Sequence, residues 1–366
     1  MLTDLEALVR CESFSADLAA VARSAEVVAA LGERLLGAAP QRVVIGGVSH
    51  LRWSFGTPKV LLVGHHDTVW PMGSLRNRPW KVADGRARGP GVLDMKAGLV
   101  QMFHALASLP SPEGVSVVVN GDEEVGSTTS RQLIEQSAQG CAAAFVLEAS
   151  ADEAGALKTA RKGTSRYEIV VHGKAAHAGQ EPGKGVNATV EAAHQVLSVA
   201  GLGASAAAAE DGHALGAATI TPTLLSSGTA RNTVPALARL AIDVRVPSAA
   251  VQETIDALIR GMTPRTPGAR LEVRGGGQRP PMGPDSSAAL FALASRIAAE
   301  QGQEPLRGAC VGGASDANYT AATGCPTLDG LGAVGAGAHA DSEYVDITRM
   351  VPRAGLLAEL IARTRT

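Results

Sequence analysis

The chain runs to 366 residues with 45% hydrophobic and 3% aromatic content, and 33 basic against 35 acidic residues leave a formal net charge of −2. That length buries a large core in about two domains, while the charge balance and the scarcity of aromatics exclude the basic, stacking surface of a nucleic-acid binder. No stretch reaches the ~18 apolar residues of a membrane span. Cys11, Cys141, Cys310 and Cys325 stand far apart with no CxxC pair, so neither a disulfide frame nor a structural zinc knot is expected, and a reducing compartment is. The segment MLTDLEALVRCESFS has acids at Asp4 and Glu6 and no unbroken apolar core, unlike a signal peptide. A soluble cytoplasmic protein is the expectation.

Alternating helix and strand signals come first. Residues 17–37 place apolar side chains at helical spacing, KVLLVGHHD from Lys59 is a short β-rich run, and 97–109 reads as a helix opened by a glycine turn. VSVVVN at 115–120 is a second buried-strand candidate, 129–140 a helix, and AAAFVLE a third strand. Continuous apolar strands separated by helices predict a parallel sheet covered on both faces, and such sheets collect ligands beyond the carboxyl ends of their strands. The rhythm changes near Gly163. RYEIVVHG alternates like a half-exposed strand and 187–199 is helical; an Ala-rich patch (204–209) and a loop to His213 follow. ATITPTLLSSG and ALARLAIDVRV then read as strands, PSAAVQETIDALIRGM as a helix with Ser248 at its N-cap, and ARLEVRG as a last strand. This β-α-β-β-α-β order is the ferredoxin-like split arrangement. It predicts a domain at 163–275 inserted into a discontinuous α/β domain made of 1–162 and 276–366, whose later helices fall near 285–301 and 346–363.

Five acidic or histidine-bearing motifs close apolar runs in a fixed order: GHHDTV with His65, GPGVLDMKAG with Asp94, NGDEEVGS with Glu123 and Glu124, VLEAS with Glu148, and AGAHADSEYVD with His339. Each has an ordinary explanation by itself. A strand-end histidine can sit in a turn, an aspartate before a helix is often an N-cap, an EE pair is often a solvated acidic turn, and a histidine in a glycine-rich loop is often exposed. Together they supply the two imidazoles and the carboxylates that two metal ions and a general base require. In an extended chain Asp67 lies on the same side as His65 and can hold its second ring nitrogen, while His66 points to the opposite face and reads as structural. Asp94 has two oxygens and can bridge cations ~3.5–4 Å apart. Glu123 and Glu124 can diverge from one turn, one toward a metal and one toward its water, and Glu148 enters a core edge where an unpaired charge is costly. A nucleotide-binding loop is unsupported, because GxxxxGK[ST] is absent and no GxGxxG is followed by a ribose-binding acid. His50, His104, His172, His194 and His213 match no motif.

GHHDTV, GPGVLDMKAG, DEEVGS, the Glu148 segment, KAAHAG and GAHADSEYVD, in this order and around an inserted domain, resemble the dinuclear zinc carboxypeptidase and aminoacylase family. Its members include bacterial glutamate carboxypeptidase, to which the motifs are most similar, acetylornithine deacetylase and succinyl-diaminopimelate desuccinylase. The likeness covers nearly the whole chain. It implies a zinc-peptidase-like catalytic domain with a mixed, largely parallel sheet covered by helices, and an inserted lid that forms a homodimer. It implies two zinc ions, with cobalt or manganese as substitutes: Asp94 bridging them, His65 and Glu148 on one, Glu124 and His339 on the other. By the same resemblance Glu123 is the general base and acid, Asp67 supports the site, and the Asp94–Met95 peptide is cis. His177 of KAAHAG reaches across the dimer to a neighbouring active site and stabilises an oxyanion. Asn232 of ARNTVP and Arg279 of GGQRPPM grip the substrate carboxylate. The implied activity is hydrolysis of the amide of a peptidyl or N-acyl amino acid with a free carboxylate, since members with Glu rather than Asp at the position of Glu148 tend to be carboxypeptidases and deacylases. The alternatives are an aminoacylase-type deacetylase or desuccinylase and, from another class, a catalytically silent metal-dependent binding protein, against which the intact Glu123 argues. Neither nucleic acid nor membrane is expected as a partner.

Overall fold

The computed structural model describes residues 1–208 and 214–365, so residues 209–213 of the Ala-rich patch and the loop to His213 lie outside the described residues. Two compact units make up the chain: Met1–Ala160 with Gly283–Val311 and Ser315–Thr366, and Arg161–Met282 with Gly312–Ala314.

The first unit is built on a six-stranded sheet in the spatial order Gln41–Ile45, Val48–Ser54, Val115–Asn120, Val60–His65, Ala143–Val146, Thr327–Leu328. The last four strands are parallel and the first two join them antiparallel. Every residue of Val60–His65, Val115–Asn120 and Ala143–Val146 is buried. Parallel strands need that cover on both faces, and valine-rich segments suit it. The antiparallel edge is a hairpin absent from the expected elements. Gly46 and Gly47, at φ 59° and 85°, make its two-residue turn, whose twist requires two left-handed residues in succession.

Helices cover this sheet. Leu18–Leu36 starts at Asp17, whose side chain accepts from Ala20 N at 2.9 Å, and stops where Gly37 takes φ 69°; such an N-cap is worth ~1 kcal/mol. It packs on Val48–Ser54 and on the helix Ala97–Ala107, which in turn meets the helix Met350–Thr364. Trp53 of that strand and Phe103 of the helix Ala97–Ala107 meet edge-on, with ring centroids 5.2 Å apart. Leu356, Leu357, Leu360 and Ile361 are completely buried. Each contributes ~1.5–3 kcal/mol, so Leu360→Ala alone would cost ~2–5 kcal/mol.

The second unit carries a four-stranded antiparallel sheet in the order Thr219–Ser227, Leu237–Val246, Gly163–His172, Arg270–Arg279. Ala188–Ala208 and Ala249–Arg260 are its helices. This is the ferredoxin-like strand order. Along Leu237–Val246 every second residue is buried, so one face of the sheet meets the core that Ile255 and Ile259 also enter. Ser248 caps the second helix by accepting from Val251 N at 3.3 Å.

Candidate metal centre

Three neighbouring parallel strands, Val115–Asn120, Val60–His65 and Ala143–Val146, end along one edge of the first unit's sheet. His65 is the last residue of its strand, Glu123 and Glu124 form a single 3-10 turn just after theirs, and Glu148 follows the third. Period and direction of the strands therefore bring three motifs from distant sequence to one place, and the turn before the helix Ala97–Ala107 brings the fourth, with Asp94. The fifth arrives on a hairpin: Gly335–Ala336 pairs with Tyr344–Asp346, and the loop between them presents His339 with its backbone at φ 63°.

His65 Nδ1 lies 3.0 Å from the Asp67 carbonyl oxygen. A carbonyl only accepts, so Nδ1 bears the proton and Nε2 is left to face the acids. That Nε2 stands 3.2 Å from Asp94 Oδ1 and 3.7 Å from Glu148 Oε1. The expected support of His65 by Asp67 thus comes most closely from the backbone; the carboxylate Oδ1 is 3.5 Å away. The carboxylate has other donors, taking the Ser15 hydroxyl at 2.7 Å, Glu123 N at 3.1 Å and Glu124 N at 3.2 Å. One buried aspartate orients both the imidazole and the acidic turn.

Asp94 divides its two oxygens. Oδ1 faces His65, and Oδ2 lies 3.3 Å from His339 Nε2, which is 3.2 Å from Glu124 Oε2. Potential ligand atoms of His65, Asp94 and Glu124 fall within 4.8 Å of one another, as do those of His65, Glu123 and Glu148. Glu124 Oε1 is buried with no hydrogen-bond partner among the described residues, a cost that a cation would remove. Lys158 Nζ, 3.8 Å from Glu148 Oε2, offsets part of the charge. Nitrogen and oxygen donors without a thiolate suit zinc, cobalt or manganese, and a carboxylate with one oxygen toward each of two imidazoles suits a shared position between two cations. The residues fit such a pair.

The electrostatics follow from crowding acids around two imidazoles. Burial alone would raise the Asp94 carboxyl, but His339 and His65 hold it far below the carboxylate range. Burial would lower His65, yet the Asp67 and Asp94 carboxylates carry it well above its ordinary value. Asp94, then Glu124, hold half-exposed His339 up to about 10. Glu124 is raised, chiefly by burial. His66 takes no part: it is buried, its Nε2 is 3.0 Å from Ser49 O, and burial pulls it down to about 4.

Glu343 went unassigned in sequence. Its Oε1 accepts Leu93 N at 2.9 Å and Asp94 N at 3.2 Å, and its Oε2 accepts Gly91 N at 3.0 Å and Trp70 Nε1 at 2.8 Å. It holds the turn that delivers Asp94, and the Asp94–Met95 peptide in that turn is cis. The available signal was an acid abutting the buried pair Tyr344–Val345. Buried Arg353 does similar work behind Glu148, donating to the carbonyls of Gly330, Gly332 (3.1 Å) and Gly155 (3.1 Å), with burial lowering it to about 10.

His177, Asn232 and Arg279 belong to the second unit. His177 is exposed on a two-residue strand paired with Thr233–Val234, and its Nδ1 accepts Gly179 N and Gln180 N at 3.2 and 3.0 Å, so Nε2 carries the outward proton. Asn232 is exposed, and its backbone carbonyl accepts Ala178 N at 2.9 Å. Arg279 ends its strand beside Thr164 and is 8% exposed, less open than a residue left to solvent.

The α/β fold and this cluster of candidate metal ligands suit a metal-dependent hydrolase, and comparison with known proteins agrees. The sequence profile of peptidase family M20/M25/M40 matches residues 61–363. Carboxypeptidase G2 of Pseudomonas sp. (strain RS-16) is 31% identical over 99% of this chain and 88% of its own length. Succinyl-diaminopimelate desuccinylase of Acidiphilium cryptum (strain JF-5) is 27% identical over 93% of this chain and 92% of its own. An M20 family metallo-carboxypeptidase from Sulfolobus solfataricus has the same fold, with a TM-score of 0.74, 17% identity and coverage of 100% of this chain and 98% of that one. The chain belongs to peptidase family M20/M25/M40 and is a metallopeptidase-type hydrolase.

Proposed function

We propose that this hydrolase uses two zinc ions to cleave the amide bond of a peptidyl or N-acyl amino acid that bears a free carboxylate. The observation that carries the reading is Asp94, with one oxygen toward His65 and the other toward His339. His65 and Glu148 would hold one ion, Glu124 and His339 the second, and Asp94 both. When bound, such a pair supplies Lewis-acid polarisation of a carbonyl and a water acidic enough to lose its proton near neutrality. Glu123 stands beside His65 and Glu148 without being needed as a ligand. It takes the proton from the attacking water and returns it to the leaving amine. Asp67 fixes the direction of that base by holding its backbone N–H.

The outward N–H of His177 is suited to an oxyanion, and Arg279 with Asn232 to the substrate carboxylate. His177 would serve a second copy of the chain. Support for a homodimer comes from the edge strand Thr219–Ser227, where Leu224 and Leu225 are 72% and 51% exposed, and from Val190 and Leu197, exposed on the helix that packs on that strand. No helix of the described residues is long and apolar enough to cross a membrane. We place the protein in the cytoplasm, where its four cysteines would stay reduced, and assign it no nucleic-acid partner.

The test is a metal count followed by a substrate panel. Two zinc ions per chain are expected, with turnover of peptidyl and N-acyl amino acids that falls sharply when the carboxylate is amidated. One metal, or indifference to amidation, would contradict the reading. The likeness to a desuccinylase favours a second one, in which N-succinyl substrates outrun peptides on the same panel.

A further inference from the structure

The turn that carries Glu123 and Glu124 is clamped by a carboxylate from far along the chain. Asp316 is 2% exposed and sits just before the helix Ala317–Ala322. Its Oδ2 accepts from Asn120 Nδ2 at 2.8 Å, and its Oδ1 accepts the hydroxyl of Ser127. Asn120 lies three residues before Glu123 and Ser127 three after Glu124, so a single carboxylate spans both ends of the turn. The Asn120 amide also donates to Ser130 Oγ at 2.9 Å, which donates to Asp122 Oδ1 at 2.5 Å. Asp122 Oδ2 takes Thr129 N and Oγ1 at 2.7 and 2.8 Å. Tyr319, one turn beyond Asp316, donates to Gly126 O at 3.2 Å. Ser127 has φ 55°, a left-handed backbone that residues with a Cβ seldom adopt, and its bond to Asp316 helps hold it there.

We propose that Asp316 is a positioning residue for the metal centre: through Asn120 and Ser127 it sets the direction in which Glu123 and Glu124 leave their turn. Asp67 fixes the backbone of that turn at the glutamates themselves, and Asp316 fixes its two ends. A ligand and a proton-transferring group on one short turn must be right together, so a small rotation of the turn spoils both. This inference rests on the roles given to the two glutamates above and adds a residue that reaches neither cation nor substrate.

Asp316→Asn keeps the shape but sets an amide donor against the amide of Asn120 or the hydroxyl of Ser127. Supporting residues of this kind typically control about 10–100-fold in metal affinity or activity. Zinc affinity, read by competition with a chromophoric chelator, should fall about tenfold or more, and kcat of the zinc-saturated variant about 10–100-fold with KM nearly unchanged. The acid limb of the pH profile of kcat/KM should move as well, because the base has been turned. Ser127→Ala should show the same pattern more weakly, and the double variant should be less impaired than the two losses combined. Leu360→Ala, a core change outside the turn, supplies the control for lost stability and should keep zinc affinity and the acid limb. Wild-type zinc affinity and an unmoved acid limb in Asp316→Asn, or the same changes in Leu360→Ala, would overturn the proposal. Should Asp316→Asn not fold, Ser127→Ala decides, and wild-type values there overturn it. Normal turnover by Glu123→Gln would instead sink the roles of the glutamates, a result distinguishable from any of these.

Discussion

Four carboxylates and two imidazoles share the edge of the first unit's sheet, and their mutual arrangement makes each residue's job separable by substitution. Glu123→Gln keeps the size of the side chain and loses the ability to take a proton. We expect zinc content to stay at the wild-type level while kcat falls by about 10²–10⁴, the span general acid–base catalysis usually supplies; a stopped assay and a metal count on the same sample check both halves. His339 gives a pH prediction. In the metal-free protein its imidazole is held up to about 10 by Asp94 and Glu124, against 6.5 ordinarily. Since a metal binds only the neutral ring, loading zinc below pH 10 must release that proton, and calorimetry in buffers of different ionisation enthalpy should detect it. The same residues show the limits of motif reading. His65, Asp94, Glu123, Glu124, Glu148 and His339 each belonged to a recognisable motif, whereas Glu343, although inside the last of these motifs, acts through contacts with backbone N–H groups 249–252 residues away that local spacing does not reveal.

At the scale of elements, the segment bearing Glu148 is wedged between two glycines. A methyl group on Gly98 would meet Leu147 O at 2.2 Å, and one on Gly332 would meet the same oxygen at 2.1 Å and Glu148 O at 2.7 Å. The helix Ala97–Ala107 and the turn at Gly332 can approach the strand end only because both lack a Cβ. Gly332→Ala should therefore destabilise by ~1–3 kcal/mol, the usual cost of overpacking, and weaken zinc binding by displacing Glu148. Gly355→Ala in the helix Met350–Thr364 meets no atom within 4 Å and should stabilise by up to ~1 kcal/mol. Urea melts of the two variants should move in opposite directions. Apolar runs made the three central strands legible in advance, along with most helices. The hairpin Gln41–Ser54 escaped because its outer strand is largely exposed and its inner strand mixes Ser49, His50 and Arg52 with apolar residues, leaving no clean period.

For the whole molecule, metal binding and stability are linked. A ligand that binds only the folded state at 100 times its Kd adds ~2.7 kcal/mol, so chelation should lower Tm. In the chelated protein the raised pKa of His339 sets the sign of the pH dependence. Its contribution is complete below 6.5, the ordinary value, and is lost as pH rises through about 10. Tm of the chelated protein should fall across that interval more steeply than Tm of the zinc-loaded form, and parallel curves would contradict the coupling. Assembly is tested at the exposed edge: Leu224→Glu with Leu225→Lys should leave a folded monomer by ultracentrifugation, with activity reduced if His177 serves a second copy.

Local sequence was enough to mark the three central strands, most helices and the Ser248 cap, and to single out candidate metal-binding side chains, because apolar period, glycine turns and residue type act over a few positions. It was also enough, through the order of its motifs, to indicate the family. Only the tertiary structure decided that Asp94 faces both imidazoles, that the Asp67 backbone rather than its carboxylate lies nearest His65, and that Glu343 and Asp316 brace the turns bearing the acids. Those relations depend on distances between segments dozens to hundreds of residues apart, and such distances exist only once burial of the sheet has drawn the segments together.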